Sequence, residues 1–171
     1  MRTLIGLLAA VNVGGSGKLP MAELRSMAEA CGFVQVRTYI QSGNLVFATD
    51  RDPDAARAVL EQRLETHAGK PVRVFIRTPE ELCGILAANP FPDAEPSKVG
   101  VLFLDMPPPS DAIETAKGRA DEQIALGSRE VFVHYPSGMG RSKLRFPAVT
   151  AGTVRNVNTI AKLAEMGGKD A

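Results

Sequence analysis

Two glycine-rich segments hold the residue types best suited to gripping a negative group. The first, Asn12-Val13-Gly14-Gly15-Ser16-Gly17-Lys18, joins an apolar strand pattern to a helical one. Glycines there let backbone N–H groups turn inward, and the following helix N-terminus adds partial positive charge, so an anion is favoured. The segment resembles a P-loop only superficially. Asn12 stands where its first Gly belongs and Leu19 where its Mg²⁺-binding Ser or Thr belongs. The second segment, Gly138-Met139-Gly140-Arg141-Ser142-Lys143, follows a strand pattern. Arg141 offers a planar fork suited to phosphate or carboxylate, and Lys143 a point charge. A third group, Gln41, Ser42 and Asn44, occupies a turn whose amides and hydroxyl suit ligand hydrogen bonding. Near the C-terminus, Arg155, Asn158, Thr159 and Lys162 fall at i, i+3, i+4 and i+7, the polar face of an expected helix. Arg155 in its first turn opposes the helix dipole, which points to an external anion or an internal carboxylate. Each group has a plain alternative: flexible connections, solvated cations, and amides that cap their own backbone.

No catalytic constellation stands beside them. Ser42 lacks a GxSxG elbow, because Ile40 and Asn44 occupy the flanking glycine positions. His67 ends an amphipathic helix and His134 alternates on a strand, both structural placements, and no carboxylate pair stands out. Two His and 2 Cys, far apart in sequence, do not make a zinc site. No RNP1-like aromatic string is present, and Tyr39, Phe47 and Phe75 read as sheet packing. We therefore assign no catalytic residue and expect no metal and no cofactor; whether any chemistry follows binding is open.

These side chains are positioned by alternating strands and helices. An apolar strand over residues 3–11 precedes the first glycine loop; a stunted signal peptide fits it less well, the run being short and close to Met1. Pro20 opens a helix with Met21, Leu24, Met27 and Cys31 on one face, and Gly32 stops it. Val34–Ile40 and Leu45–Ala48 read as a hairpin, Asp52-Pro53 starts a second helix, and Val72–Ile76 is a fourth strand. The order β-α-β-β-α-β over residues 1–77 is the split βαβ or ferredoxin-like pattern. In that topology the first glycine loop and the Gln41–Asn44 turn emerge at one sheet rim.

Residues 78–171 repeat the order more weakly. Thr78-Pro79-Glu80-Glu81 is a capping box. A strand over 98–104, a helix near 110–118, a hairpin around Gly127-Ser128 and a last helix over about 153–166 follow. No residue-level repeat links the halves. The expected fold class is α+β, with two ferredoxin-like (α-β plait) subdomains, 1–77 and 78–171, the second incomplete or decorated.

Composition bounds the function classes. The chain has 171 residues, 44% hydrophobic and 23% charged, with net charge +1, which is ordinary for a globular protein. No global basic field recruits nucleic acid or membrane. The charge is uneven, however: residues 79–122 are acidic and 123–171 basic. Cys31 and Cys83 form no CxxC pattern and suit a reducing cytosol.

Five segments, Leu7–Gly15, Pro20–Arg25, Thr38–Asn44, Gly140–Lys143 and Thr153–Thr159, resemble the bacterial family called domain of unknown function 1697. The resemblance spans nearly the whole chain. It implies a pair of α-β plait subdomains and no assigned activity. Two departures stand out. Ala9 and Ala10 replace the family's usual Arg-Gly pair, and Val157 replaces its usual Trp. The first removes a charge that an anion site beside the glycine loop would use.

The reading is a cytoplasmic protein that binds a small anionic ligand, a phosphate ester or nucleotide. Its contacts would be Asn12, Gly14, Gly15, Lys18, Gln41, Ser42, Asn44, Arg141, Ser142, Lys143, Arg155 and Asn158. No membrane and no nucleic acid partner are expected, and the oligomeric state is open. The competing reading is a non-catalytic module that binds protein or RNA, or oligomerises.

Overall fold

The computed structural model describes residues 1–9, 19–149 and 151–168. Contacts divide the chain into two units, Met1–Cys83 with Lys162–Ala171, and Gly84–Ala161.

The first unit contains β1 (Arg2–Leu8), α1 (Met21–Ala30), β2 (Val34–Tyr39), β3 (Asn44–Thr49), α2 (Pro53–Ala68) and β4 (Val74–Arg77). The strands form one antiparallel sheet in the order β2-β3-β1-β4. The two central strands carry unbroken apolar runs because both their faces are covered: Leu4, Ile5, Leu7 and Leu8 are buried, as is all of β3, including Asn44 and Thr49 at its ends. Leu24, Met27 and Ala28 of α1 join Ala56, Leu60 and Leu64 of α2 in the core, where Phe33 stacks on Phe47 at 4.2 Å. Asp52 caps α2 by accepting from the Ala55 amide at 2.8 Å, and Gly69 ends it in the left-handed region.

Then come α3 (Pro79–Ala87), β5 (Val99–Phe103), β6 (Gln123–Leu126), β7 (Glu130–His134), β8 (Thr153–Asn156) and α4 (Val157–Gly168). The second antiparallel sheet is ordered β6-β7-β5-β8. Its strand order matches the first sheet position for position, but its crossovers carry no long helix.

Two expected elements differ. Residues 110–115 form consecutive turns rather than a helix over 110–118. The segment lies between Pro107-Pro108-Pro109 and Gly118 and buries only Ala112 completely, which is too little to offset helix nucleation. The last helix starts at Val157, not Thr153, because Thr153–Asn156 hydrogen-bonds to β5 as an edge strand. Arg155 therefore leaves the polar face expected to hold Asn158, Thr159 and Lys162.

The two sheets also share a device that the sequence hides. Arg77 on β4 lies opposite Ile5, and Arg155 on β8 lies opposite Val101. Each arginine is buried, and each donates from its Nη1 to the carbonyl of the preceding residue at 3.0 Å. Each is followed by a helix cap. Thr78 Oγ1 accepts from the Glu81 amide at 3.0 Å, and Asn156 Oδ1 accepts from the Thr159 amide at 2.8 Å.

Candidate functional site

Asn12, Gly14, Gly15 and Lys18 lie outside the described residues. What leads to them is described. Leu7 pairs with Asn44, the Leu8 amide donates to Gly43 O at 2.9 Å, and the Ala9 amide donates to Arg73 O at 3.0 Å. The chain thus enters the glycine segment beside the Gln41–Asn44 turn. Asn44 itself is fully buried, and its Nδ2 donates to Tyr39 O and Ser42 Oγ, each at 2.8 Å. These two donations close the turn. Gln41 is exposed and Ser42 half-buried. Ile40 in this turn has φ +50 and is 49% exposed, an unusual conformation for a β-branched residue.

The second glycine segment lines a cavity within the second unit. Lys117 and Arg145 exchange both backbone hydrogen bonds at 2.9 Å, a one-pair antiparallel ribbon. Gly118 makes this possible: its φ is +73, and a Cβ there would stand 2.2 Å from the Lys143 carbonyl oxygen. The ribbon brings Ala120–Glu122 against Ser137–Lys143 around a cavity of about 570 Å³, lined among others by Tyr135, Gly138 and Arg141.

Hydroxyls meet the carboxylates of this cavity. Ser142 Oγ donates a short hydrogen bond to Glu122 Oε2 and accepts from the Leu144 amide at 3.1 Å. Glu122 Oε1 accepts from the Ala120 amide at 2.6 Å, and Ser137 Oγ donates to Asp121 Oδ2 at 2.6 Å. The Ser142 bond first, then the Ala120 amide, holds the Glu122 carboxyl below its ordinary pKa. Burial pushes the Tyr135 phenol up to about 12, with the Glu122 charge adding to it.

Arg141 and Lys143 are exposed on the cavity rim, and among the described residues neither side chain has a hydrogen-bond or ion-pair partner. Of the twelve expected ligand residues, the cavity gathers Arg141, Ser142 and Lys143. Ser142 is half-buried and turned to Glu122. Asn158 is exposed at the start of α4 and does not line this cavity. Arg155 is buried in β8 and donates to Thr153 Oγ1 at 2.7 Å, and burial lowers its guanidinium to about 10. Asp121, Glu122, Tyr135 and Ser137 escaped the sequence reading. Asp121 meets Ser137 across 16 positions of chain and Glu122 meets Ser142 across 20, with no local pattern to announce them.

Among the described residues no group of three or more His, Cys, Asp or Glu side chains is arranged to hold a metal ion, and no helix is long and apolar enough to cross a membrane.

The family described as "Protein of unknown function (DUF1697)" matches residues 1–132. The chain belongs to the DUF1697 family. Three of the five motif segments fall within that match, and the Gly140–Lys143 and Thr153–Thr159 segments lie beyond it. Among solved structures, this DUF1697 chain is similar to conserved bacterial protein SP0830 from Streptococcus pneumoniae, with TM-score 0.78 and 24% identity. The similarity covers 96% of this chain and 98% of that one, a likeness of fold. No curated protein matches the chain.

Proposed function

We propose that this DUF1697 member binds a small phosphate ester in the cavity of its second unit. One observation carries the reading. The carboxylates there already accept hydroxyl and amide hydrogens, while Arg141 and Lys143 stand exposed on its rim with no acidic partner among the described residues. Arg141 would clamp two phosphate oxygens, Lys143 would add charge, and the Gly138–Gly140 backbone would allow close approach. Asp121 would accept a hydrogen bond from a hydroxyl of the ligand. The glycine segment with Asn12, Gly14, Gly15 and Lys18 remains a second proposed anion cradle on chemical grounds alone.

The two sheets and their connections support ferredoxin-like plaits for residues 1–77 and 78–171, the second with its crossover helices reduced to turns. A cytosolic setting agrees with Cys31 and Cys83 being free thiols.

Thermal melting with nucleoside monophosphates and sugar phosphates tests the cavity reading. A ligand at about 100 times its Kd adds about 2.7 kcal/mol of stability. The shift should be lost in Arg141→Ala and reduced in Lys143→Ala. A shift untouched by Arg141→Ala, or none with any phosphate ester, contradicts the reading.

A further inference from the structure

The cavity of the second unit is lined by charges of both signs, and they differ in burial. Glu122 is 4% exposed and Tyr135 9%, whereas Arg141, Lys143 and Asp121 are open to solvent. Among the described residues, no ion pair joins Asp121 or Glu122 to Arg141 or Lys143. Arg119 Nε donates to the Glu122 backbone carbonyl at 2.8 Å and makes no ion pair with its carboxylate. Two oxygens of the lining also remain open. Ser137 Oγ donates to Asp121 Oδ2, and no hydrogen bond reaches Asp121 Oδ1 among the described residues. The Tyr135 hydroxyl, on a side chain nine-tenths buried in the lining, has no hydrogen-bond partner among the described residues. The Glu122 charge acts on that phenol and helps to raise its pKa, so the potential around it is negative. A buried carboxylate without a cation is costly, and so is a buried hydroxyl without a partner. An ammonium relieves both, whereas a second anion is repelled there.

We infer that the ligand of this cavity is an amine-bearing phosphate ester, its ammonium donating to Asp121 Oδ1 and the Tyr135 hydroxyl while its phosphate is held by Arg141 and Lys143. The inference rests on the cavity reading and goes further by naming the ligand's second group: the hydrogen that reaches Asp121 comes from an ammonium. A charge-assisted hydrogen bond of that kind is about twice as strong as one from a neutral hydroxyl in the same place. A cavity of about 570 Å³ is roomy enough for a molecule the size of a sugar phosphate.

Glucosamine 6-phosphate and glucose 6-phosphate are the probes, because they differ only in an ammonium for a hydroxyl. Ethanolamine phosphate and glycerol phosphate repeat the comparison at a shorter spacing. Isothermal titration calorimetry of the full chain, below the pKa of the amines, should show the amine-bearing member of at least one pair binding about tenfold tighter. Asp121→Asn keeps an acceptor but removes the charge, so the ratio of the two affinities should fall to about one. Tyr135→Phe keeps the ring and should lower the ratio about threefold. Arg141→Ala should weaken both members of a pair together. Equal affinities within both pairs, or a ratio unchanged by Asp121→Asn, overturns the inference; binding that is still lost in Arg141→Ala then leaves the cavity reading standing without it. No binding of any of the four esters overturns both.

Discussion

Glu122 keeps its proton affinity below the ordinary carboxyl range through two donors, the Ser142 hydroxyl first and the Ala120 amide second. A carboxyl lowered on folding contributes stability that is present above its ordinary pKa and is lost as pH falls through the lowered value. In Ser142→Ala the largest cause disappears, so the Glu122 titration should move up in pH and acid unfolding should begin earlier. Carbon-13 shifts of the carboxyl against pH, beside melting curves, read both; an unmoved titration would show that Ser142 does not set it. Ile40 is a second residue with a specific consequence. The left-handed conformation costs a residue with a Cβ roughly 1–2 kcal/mol, and Asn tolerates it better. Ile40 is half exposed, so little packing is lost on replacement. Ile40→Asn should stabilise the protein by about 1 kcal/mol, a rise of roughly 2–4 °C in melting temperature. A fall would mean that the Ile40 side chain holds the turn by contacts worth more than its strain.

At the scale of elements, the ribbon between 117 and 145 decides whether the cavity forms. Gly118→Ala combines a positive φ with a Cβ 2.2 Å from the Lys143 carbonyl, so the ribbon has to move. A loss of at least about 2 kcal/mol in urea unfolding is expected, together with loss of the phosphate-ester shift. Wild-type stability in that variant would contradict this account of the ribbon. The caps after the two buried arginines give a paired test: Thr78→Ala and Asn156→Ala should each cost about 1 kcal/mol in the same measurement. A cost at only one would break the correspondence drawn between the sheets. Elements with one strong period were legible in the sequence. The buried runs of β1 and β3, the Asp52-Pro53 start of α2 and the Thr78–Glu81 box all read directly. Thr153-Val154-Arg155-Asn156 did not, because its residues suit strand and helix alike, and pairing with β5 decides. Residues 110–118, expected as a helix, form turns over 110–115 because the segment is too exposed to bury a helical face. The Ser142–Glu122 contact was illegible for a related reason. It depends on a turn that only the fold closes, whereas Arg141 and Lys143 were visible through their type and the glycines beside them.

For the molecule as a whole, a net charge of +1 conceals an acidic middle segment and a basic C-terminal one, and the proposed site is placed at the exposed cations Arg141 and Lys143. At high pH another buried group takes over. Tyr135, pushed up to about 12 by burial and by Glu122, contributes stability that is complete below the ordinary tyrosine value and is lost as pH rises through about 12. Tyr135→Phe should flatten the alkaline arm of the stability curve; an unchanged arm would place its origin elsewhere. The central claim is that the second unit holds a phosphate on Arg141 and Lys143. Its most direct test is an amide ¹H–¹⁵N map of the labelled protein titrated with a nucleoside 5′-monophosphate. The account predicts saturable shifts concentrated at Gly138–Lys143 and Gly118–Glu122, absent in Arg141→Ala. Shifts confined to the residues of the first sheet, or none at saturating ligand, would contradict it.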